Sequence, residues 1–382
     1  MVWIIALAAL FGCSEPEPSR GLSFGETRSS NACSVDTPGP ELEYAYVVDQ
    51  ARNRVHVINP RTCSVVRAIE VNEGPVAANA TASGRWVLVA HRDGSLLVID
   101  DDAKRIHRTL DLGFVPVDMR FGGGRRLLWV LGAERTAIFD TVTQEVVASV
   151  EVGTAPLAMT RSEPATAVLG GAEGLELRQE ADAAVLRTVP LGGPVQAVGY
   201  AEGTDAIYAC TDQPSVAWME VSGEGAWAPQ ELALPQPCVD VTFEDCSTHG
   251  VALLADRRTA VLLDGEGPRV VGTVDVGAGA EDISFLTGTA AIHSPGAATL
   301  QLARFTEADG GPMRTVAVGE PRATPPLETR PSTDGRHVYL LDAERGQVHI
   351  VDTADGTVRG TVDVGGQLVD LIAAGPAGGS CC

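Results

Sequence analysis

The chain has 382 residues, 45% hydrophobic and 20% charged, with a formal net charge of −22. That composition supplies a large core and excludes a wholly disordered chain. A single lysine, Lys104, among so many acids excludes a nucleic-acid partner, because neutralising a phosphate backbone takes clustered Lys and Arg.

The first segment, Met1 to Gly12, is an apolar run that meets Cys13. It is too short to span a bilayer and lies where a signal peptide lies. The ending Leu10-Phe11-Gly12-Cys13 resembles a bacterial lipobox, although no Lys or Arg precedes the apolar run. The resemblance implies cleavage before Cys13, lipidation of Cys13, and retention in the cell envelope. Ser14 after it implies the outer membrane where the organism has one. The following stretch, Ser14-Glu15-Pro16-Glu17-Pro18-Ser19, is polar and proline-rich, as a tether is. The expected organisation is a signal peptide over 1–12, a lipid-anchored tether over 13–40, a folded body over 41–374 and a Gly-rich tail over 375–382 that ends in two cysteines.

From Tyr44 the body repeats. Each unit has a β-rich run, a polar turn, a second run commonly ending in Asp or Asn, a turn, a third run, and then Val or Leu, followed in most units by Gly. Period-two runs divided by turn residues are strand signals. The closing positions are Val71, Leu112, Val152, Leu191, Leu234, Val276, Val318 and Val364, spaced by about forty residues, the length of one four-stranded propeller blade. The last unit is the clearest: Ser332 to Leu341, Gly346 to Asp352 and Gly356 to Gly365.

This pattern resembles the YVTN-type β-propeller repeat, in which a DG turn leads into strand B, a "VID" strand C follows, and strand D ends in V-G-x-x-P. The resemblance covers about nine-tenths of the chain and implies an all-β propeller of four-stranded blades. Eight D strands predict eight blades, with seven, the number common among related propellers, as the alternative. The chain opens on strands B, C and D and ends on a lone apolar strand, Gln367 to Ile372. That strand fits as strand A of the first unit, and pairing it there removes the open sheet edges of an unclosed ring.

In a propeller the D-to-A and B-to-C turns share the face around the central channel. The ends of the B strands place Asp49, His91, Asp256, His293 and Asp342 there, on five consecutive blades of the closed ring. Carboxylates and imidazoles converging on a funnel can bind a divalent metal or serve as acid and base. The plainer reading is turn caps and solvated histidines. A second set, Asp118, Gln196, Asp240, Asp282 and Asp370, lies early in the A strands, whose alternate residues line the channel. Several carboxylates round one axis raise one another's pKa, recruit a cation, or stand hydrated. Asn59, Asp100, Asp140, Asp264 and Asp352, which end the C strands on the opposite face, read as turn caps.

Export puts the cysteines beyond Cys13 in an oxidising compartment. The geometry of the repeat allows Cys33 with Cys63 and Cys210 with Cys238, leaving Cys246, Cys381 and Cys382. Gly21-Leu22-Ser23-Phe24-Gly25 matches GxSxG but has no strand before it and no helix after it. HExxH, P-loop, zinc CxxC and haem CxxCH spacings are missing from the sequence. The leading expectation is therefore a monomeric, lipid-anchored binding or interaction module, with no cofactor, for a protein, peptide or small ligand. The alternatives are a lactonase-like or metal-assisted hydrolase and a metal-handling lipoprotein, a divalent metal being the candidate ion.

Overall fold

The computed structural model describes residues 43–121, 126–152, 158–162, 166–221, 227–244, 247–286, 289–294, 299–304, 314–317 and 329–375. Within them lie eight antiparallel sheets of four strands each, the blades of a β-propeller. The expected eight blades are the observed number. We name the strands A to D from the channel outward and number the blades from the chain's first strand, Tyr44–Asp49.

Closure follows the expectation. Blade 1 takes strands B to D from Tyr44–Asp49, Arg54–Asn59 and Ser64–Glu70, and its strand A from the far end of the chain, Leu368–Ala374. The pairing aligns Tyr44 with Ala374 and Val47 with Leu371. The eight A strands then contact one another in order round a closed circle.

The core is divided the same way. Eight apolar clusters are present among the described residues, one at each junction between neighbouring blades. Period two explains the division. Ala45 and Val47 face blade 8, whereas Tyr46 and Val48 face blade 2. A middle strand covered on both faces has no polar side, so Trp86–His91 and Tyr44–Asp49 are buried at five of six positions. Outer strands meet water on one face, and Glu145–Glu151 alternates exposed with half-buried residues.

The closing positions have one physical meaning. Each follows its D strand, and in seven blades its amide donates to a carbonyl in the B-to-C turn: Val71 to Asn53, Leu112 to Gly94, Val152 to Glu134, Leu191 to Glu173, Leu234 to Pro214, Val276 to Arg258 and Val364 to Gly346. The eighth, Val318, lies outside the described residues. The chain must then turn inward to the next A strand. Gly113 and Gly277 do so at φ of 72° and 83°, where a side chain is strained, which is why Gly follows the closing residue.

A second repeated device shapes the channel wall. The A-to-B register slips at the second residue of strand A in blades 1, 2, 3 and 6, leaving Val369, Val76, Val117 and Val239 as the extra residues. Such bulges re-aim the side chains beside them. Here the residue after each bulge is Asp370, Ala77, Asp118 or Asp240.

Candidate functional site: the channel cavity

The residues that end the B strands do not meet. Asp49, His91 and His293 are fully buried and Asp342 is 2% exposed, each inside its own blade. Asp49 accepts the amides of Arg52 and Gln367, both at 3.2 Å, and lies 3.4 Å from Nε2 of His56. It thereby fixes the hairpin of blade 1 to the entry of its closing strand. Asp342 repeats the arrangement in blade 8: it accepts the Arg345 amide at 3.0 Å, and Nε2 of His349 stands 3.8 Å away. His91 takes the same place in blade 2, where burial lowers its pKa. Asp256 is exposed and caps its turn, accepting the amides of Arg258 and Thr259 at 2.9 Å each. No group of three or more His, Cys, Asp and Glu among the described residues is placed to hold a metal ion.

Two residues of the second set do meet. Asp118 and Asp370 line a cavity of about 450 Å³ at the centre of the ring, on the inner strands of blades 1, 2, 3 and 8. Gln196 is exposed on blade 5 and Asp240 half-buried on blade 6, and neither lines this cavity. Asp282 begins strand A of blade 7, its backbone paired with His293, and its side chain lies outside the described residues.

The sequence reading had this channel as acidic, and the structure adds two arginines. Nε of Arg120 is 3.1 Å from Asp118, and Arg330 is 3.8 Å from Asp370. Glu281 also lines the cavity, 3.7 Å from Arg257. Arg120 was findable: it follows Asp118 by two positions, so a strand puts both on the same face. Arg330 was not, because the proline that follows it in Thr329–Pro331 masks the strand pattern.

Asp370 is the most constrained of these groups. Its Oδ2 accepts the Ala78 amide of blade 2 at 2.5 Å, and its Oδ1 accepts the Leu371 amide at 2.7 Å. Burial raises its pKa, and Arg330, the two amides and Arg120 each pull it back down. One side chain thus ties the last strand of the chain to both neighbouring blades. Between the charges the walls are formed by the bulge residues Val76, Val117 and Val369 with Leu341 and Ile372, and Asn79 adds a polar side chain.

A different polar cluster lies on the opposite face and missed notice in the sequence. Lys104, in the C-to-D turn of blade 2, is 5% exposed. Its ammonium donates to Asp101 at 2.5 Å and lies 3.6 Å from the ring centre of Tyr44. The Tyr46 hydroxyl donates to the same carboxylate. Burial lowers the Lys104 pKa and raises those of Asp101 and Tyr46. On the other flank of blade 1, Glu43 accepts the Tyr339 hydroxyl and the Thr333 amide of blade 8, both at 2.5 Å. Both clusters join blades and face away from the cavity. The C-strand residues are turn caps as expected: Asn59 accepts the Arg61 amide, Asp100 that of Ala103, Asp140 that of Val142, Asp264 that of Glu266 and Asp352 that of Ala354.

Cys210 and Cys238 form the expected disulfide between blades 5 and 6. Cys63 is fully buried and disulfide-bonded. Cys33, the partner expected for it, lies outside the described residues, as do Cys13, Cys246, Cys381 and Cys382.

No protein-family model and no curated protein matches the chain. Solved structures do. Apo AztD from Citrobacter koseri is similar with a TM-score of 0.69 and 13% identity, over 90% of this chain and 100% of that one. The dihydro-heme d1 dehydrogenase NirN, in complex with DHE, is similar with a TM-score of 0.66 and 11% identity, over 91% of this chain and 79% of that one. The computationally designed Ika8 protein reaches 0.61 at 15% identity, over 77% and 88%. AztD and NirN are β-propellers, and at such identities the likeness extends to the fold: this chain is an eight-bladed β-propeller closed by its own last strand.

Proposed function

We propose that this propeller is a small-molecule binding module of the cell envelope and that the channel cavity receives its ligand. The observation that carries the reading is the cavity itself. About 450 Å³ of space with valine-rich walls and two arginine–carboxylate pairs is the size and make-up of a site for a small organic ligand. Fixed charges on inner strands are better positioned than charges on loops. Of the B-strand ends, Asp49 and Asp342 accept backbone amides inside their blades instead of turning into the cavity.

The lipobox-like segment adds a location to this reading: Cys13 carries the lipid, and the tether over 13–40 holds the ring off the membrane. Two measurements test the proposal. Thermal-shift screening of a metabolite collection should return compounds that stabilise the wild type and not the Arg120→Ala/Arg330→Ala variant. Labelled palmitate should be incorporated by the wild type and not by Cys13→Ala. A collection that stabilises both propellers equally would place binding outside the channel, and label retained by Cys13→Ala would remove the anchor.

A further inference from the structure

Resting on the cavity as the ligand site, we propose that its ligand is an aliphatic cation with two heads, of the diamine or basic amino acid class: one ammonium on Glu281, a hydrocarbon chain across the channel, and a second ammonium on Asp118. The class follows from which charged groups of the lining face the space and which are taken up by the seam.

Asp370 and Arg330 belong to the seam. Asp370 has one oxygen on the Ala78 amide and the other on the Leu371 amide. Arg330 donates to the Thr329 carbonyl at 3.1 Å and stands 3.8 Å from Asp370. The charged groups left to face the space are Asp118, Arg120 and Glu281, whose side chains are 40%, 50% and 26% exposed. Two carboxylates against one guanidinium leave negative charge in excess, and a cationic guest complements it. Glu281 is the freer acid: its ion-pair partner Arg257 is 3.7 Å away, beyond hydrogen-bond reach, and is not part of the lining. Asp118 takes the Met119 amide on Oδ1 at 2.7 Å and Nε of Arg120 on Oδ2 at 3.1 Å, which uses two of a carboxylate's roughly four lone-pair sites.

The two acids are separated rather than clustered. Asp118 lies in strand A of blade 3 and Glu281 immediately precedes strand A of blade 7, halfway round the ring, so they stand on opposite sides of the channel. Among the described residues no three His, Cys, Asp or Glu are placed to hold a metal ion, which favours an organic cation with its charges apart. Each blade between the acids adds an apolar side chain to the lining: Leu341 from blade 8, Val369 from blade 1 and Val76 from blade 2, with Val117, 55% exposed, beside Asp118. Apolar side chains between two separated carboxylates match methylenes between two ammonium groups. Arg120, next to Asp118, offers donors to the carboxylate that a basic amino acid has and a diamine lacks.

The test is isothermal titration of the purified protein with cadaverine, its homologue shorter by two methylenes, pentylamine, L-lysine and hexanoate. Cadaverine should bind about fifteenfold more tightly than the shorter diamine, since each buried methylene contributes roughly fourfold, and about tenfold more tightly than pentylamine, which lacks the second head. Glu281→Gln should weaken cadaverine and pentylamine alike by about tenfold, whereas Asp118→Asn should weaken cadaverine and leave pentylamine within about twofold. Glu70→Gln, on the outer strand of blade 1, should leave every probe unchanged. L-lysine binding more tightly than cadaverine, with the difference lost in Arg120→Gln, would assign the class to basic amino acids; the reverse order would assign it to diamines. Hexanoate binding most tightly, or cadaverine binding that neither Glu281→Gln nor Asp118→Asn reduces, would overturn the cation class. No probe binding while the metabolite screen returns channel-dependent compounds would also overturn the class and keep the cavity as a ligand site. If the screen returns nothing channel-dependent either, both readings fall together.

Discussion

The Cys210–Cys238 disulfide is a covalent link between two blades besides the chain itself, and its loss should be measurable. Cys210 ends strand B of blade 5, opposite Ala197 and Val216, and Cys238 begins strand A of blade 6, opposite Leu254. Both are fully buried in one apolar cluster with Tyr208 and Phe243. The bond closes a loop with a sequence separation of 28. A loop of that length removes about 12 cal/mol/K from the unfolded chain, or about 3.5 kcal/mol at 25 °C. With unfolding entropy of about 2.1 cal/mol/K per residue over roughly 330 residues, that is a fall in Tm of about 5 °C. Calorimetry on Cys210→Ala, Cys238→Ala and the double variant checks it. Each single variant breaks the cross-link completely, so all three should lose nearly the same amount. A fall under about 1 kcal/mol, or single losses that sum to the double, would refute a cross-link working on the unfolded state.

Three further perturbations probe the closure and the buried charges. Leu371→Ala in the closing strand, where Leu371 is fully buried against blade 8, should cost about 2 to 5 kcal/mol in urea unfolding, and a loss under 1 would mean the last strand does not hold the ring. Lys104→Met should cost about 3 to 5 kcal/mol because it leaves the Asp101 carboxyl buried without its cation, while Lys104→Met/Asp101→Asn should recover most of that loss; equal losses would assign the effect to packing. His91 has a pKa lowered below 6.5 by burial, with nearby Asp93 opposing. A lowered folded value means the unfolded chain binds the proton more tightly, so the stabilisation from neutral His91 is present above pH 6.5 and is lost as pH falls through the folded value. His91→Leu should therefore reduce the dependence of stability on pH below 6.5 by up to about 1.4 kcal/mol per pH unit, and superimposable pH profiles for the two proteins would contradict it.

The fold was legible because one pattern repeats eight times. A closing Val or Leu recurs wherever the chain bonds its B-to-C turn and then reverses inward, and Gly follows it in most blades, so the signal survives even after Val185–Pro190, where the strand itself is atypical. The closing strand was legible for a related reason: Leu368, Leu371 and Ala373 bury one face and Val369 and Ile372 the other, which leaves no solvent side. The site was half legible. Aligning strand ends identified Asp49 and Asp342 as equivalent, and they are, but sequence does not say whether an end residue turns into the channel or back to its own hairpin. The Asp118 and Asp370 pair came from strand alternation, which the bulge preserves on the channel side. Arg330 escaped because the proline beside it masks the strand pattern, and the Lys104 cluster because its partners, Asp101 and Tyr46, come from two blades.

The place of the cavity in the ring follows from the closure. A propeller completed by a strand from the other end of its chain must secure that strand to blades it does not precede in sequence. Hydrophobic contact does this on both faces of the closing strand, but it is non-directional and leaves the register to slide. Asp370 supplies the directional part: its two oxygens take amides from blade 2 and from its own strand, and Arg330 approaches from blade 8. A buried carboxylate held this way needs a cation nearby and an opening through which that cation stays partly solvated. Arg330, a quarter exposed, meets both needs, and the space that keeps it wet is the cavity. The space that we assign to a ligand is therefore the same space that solvates the seam, which ties occupancy of the channel to the stability of the closing strand rather than to any other blade junction.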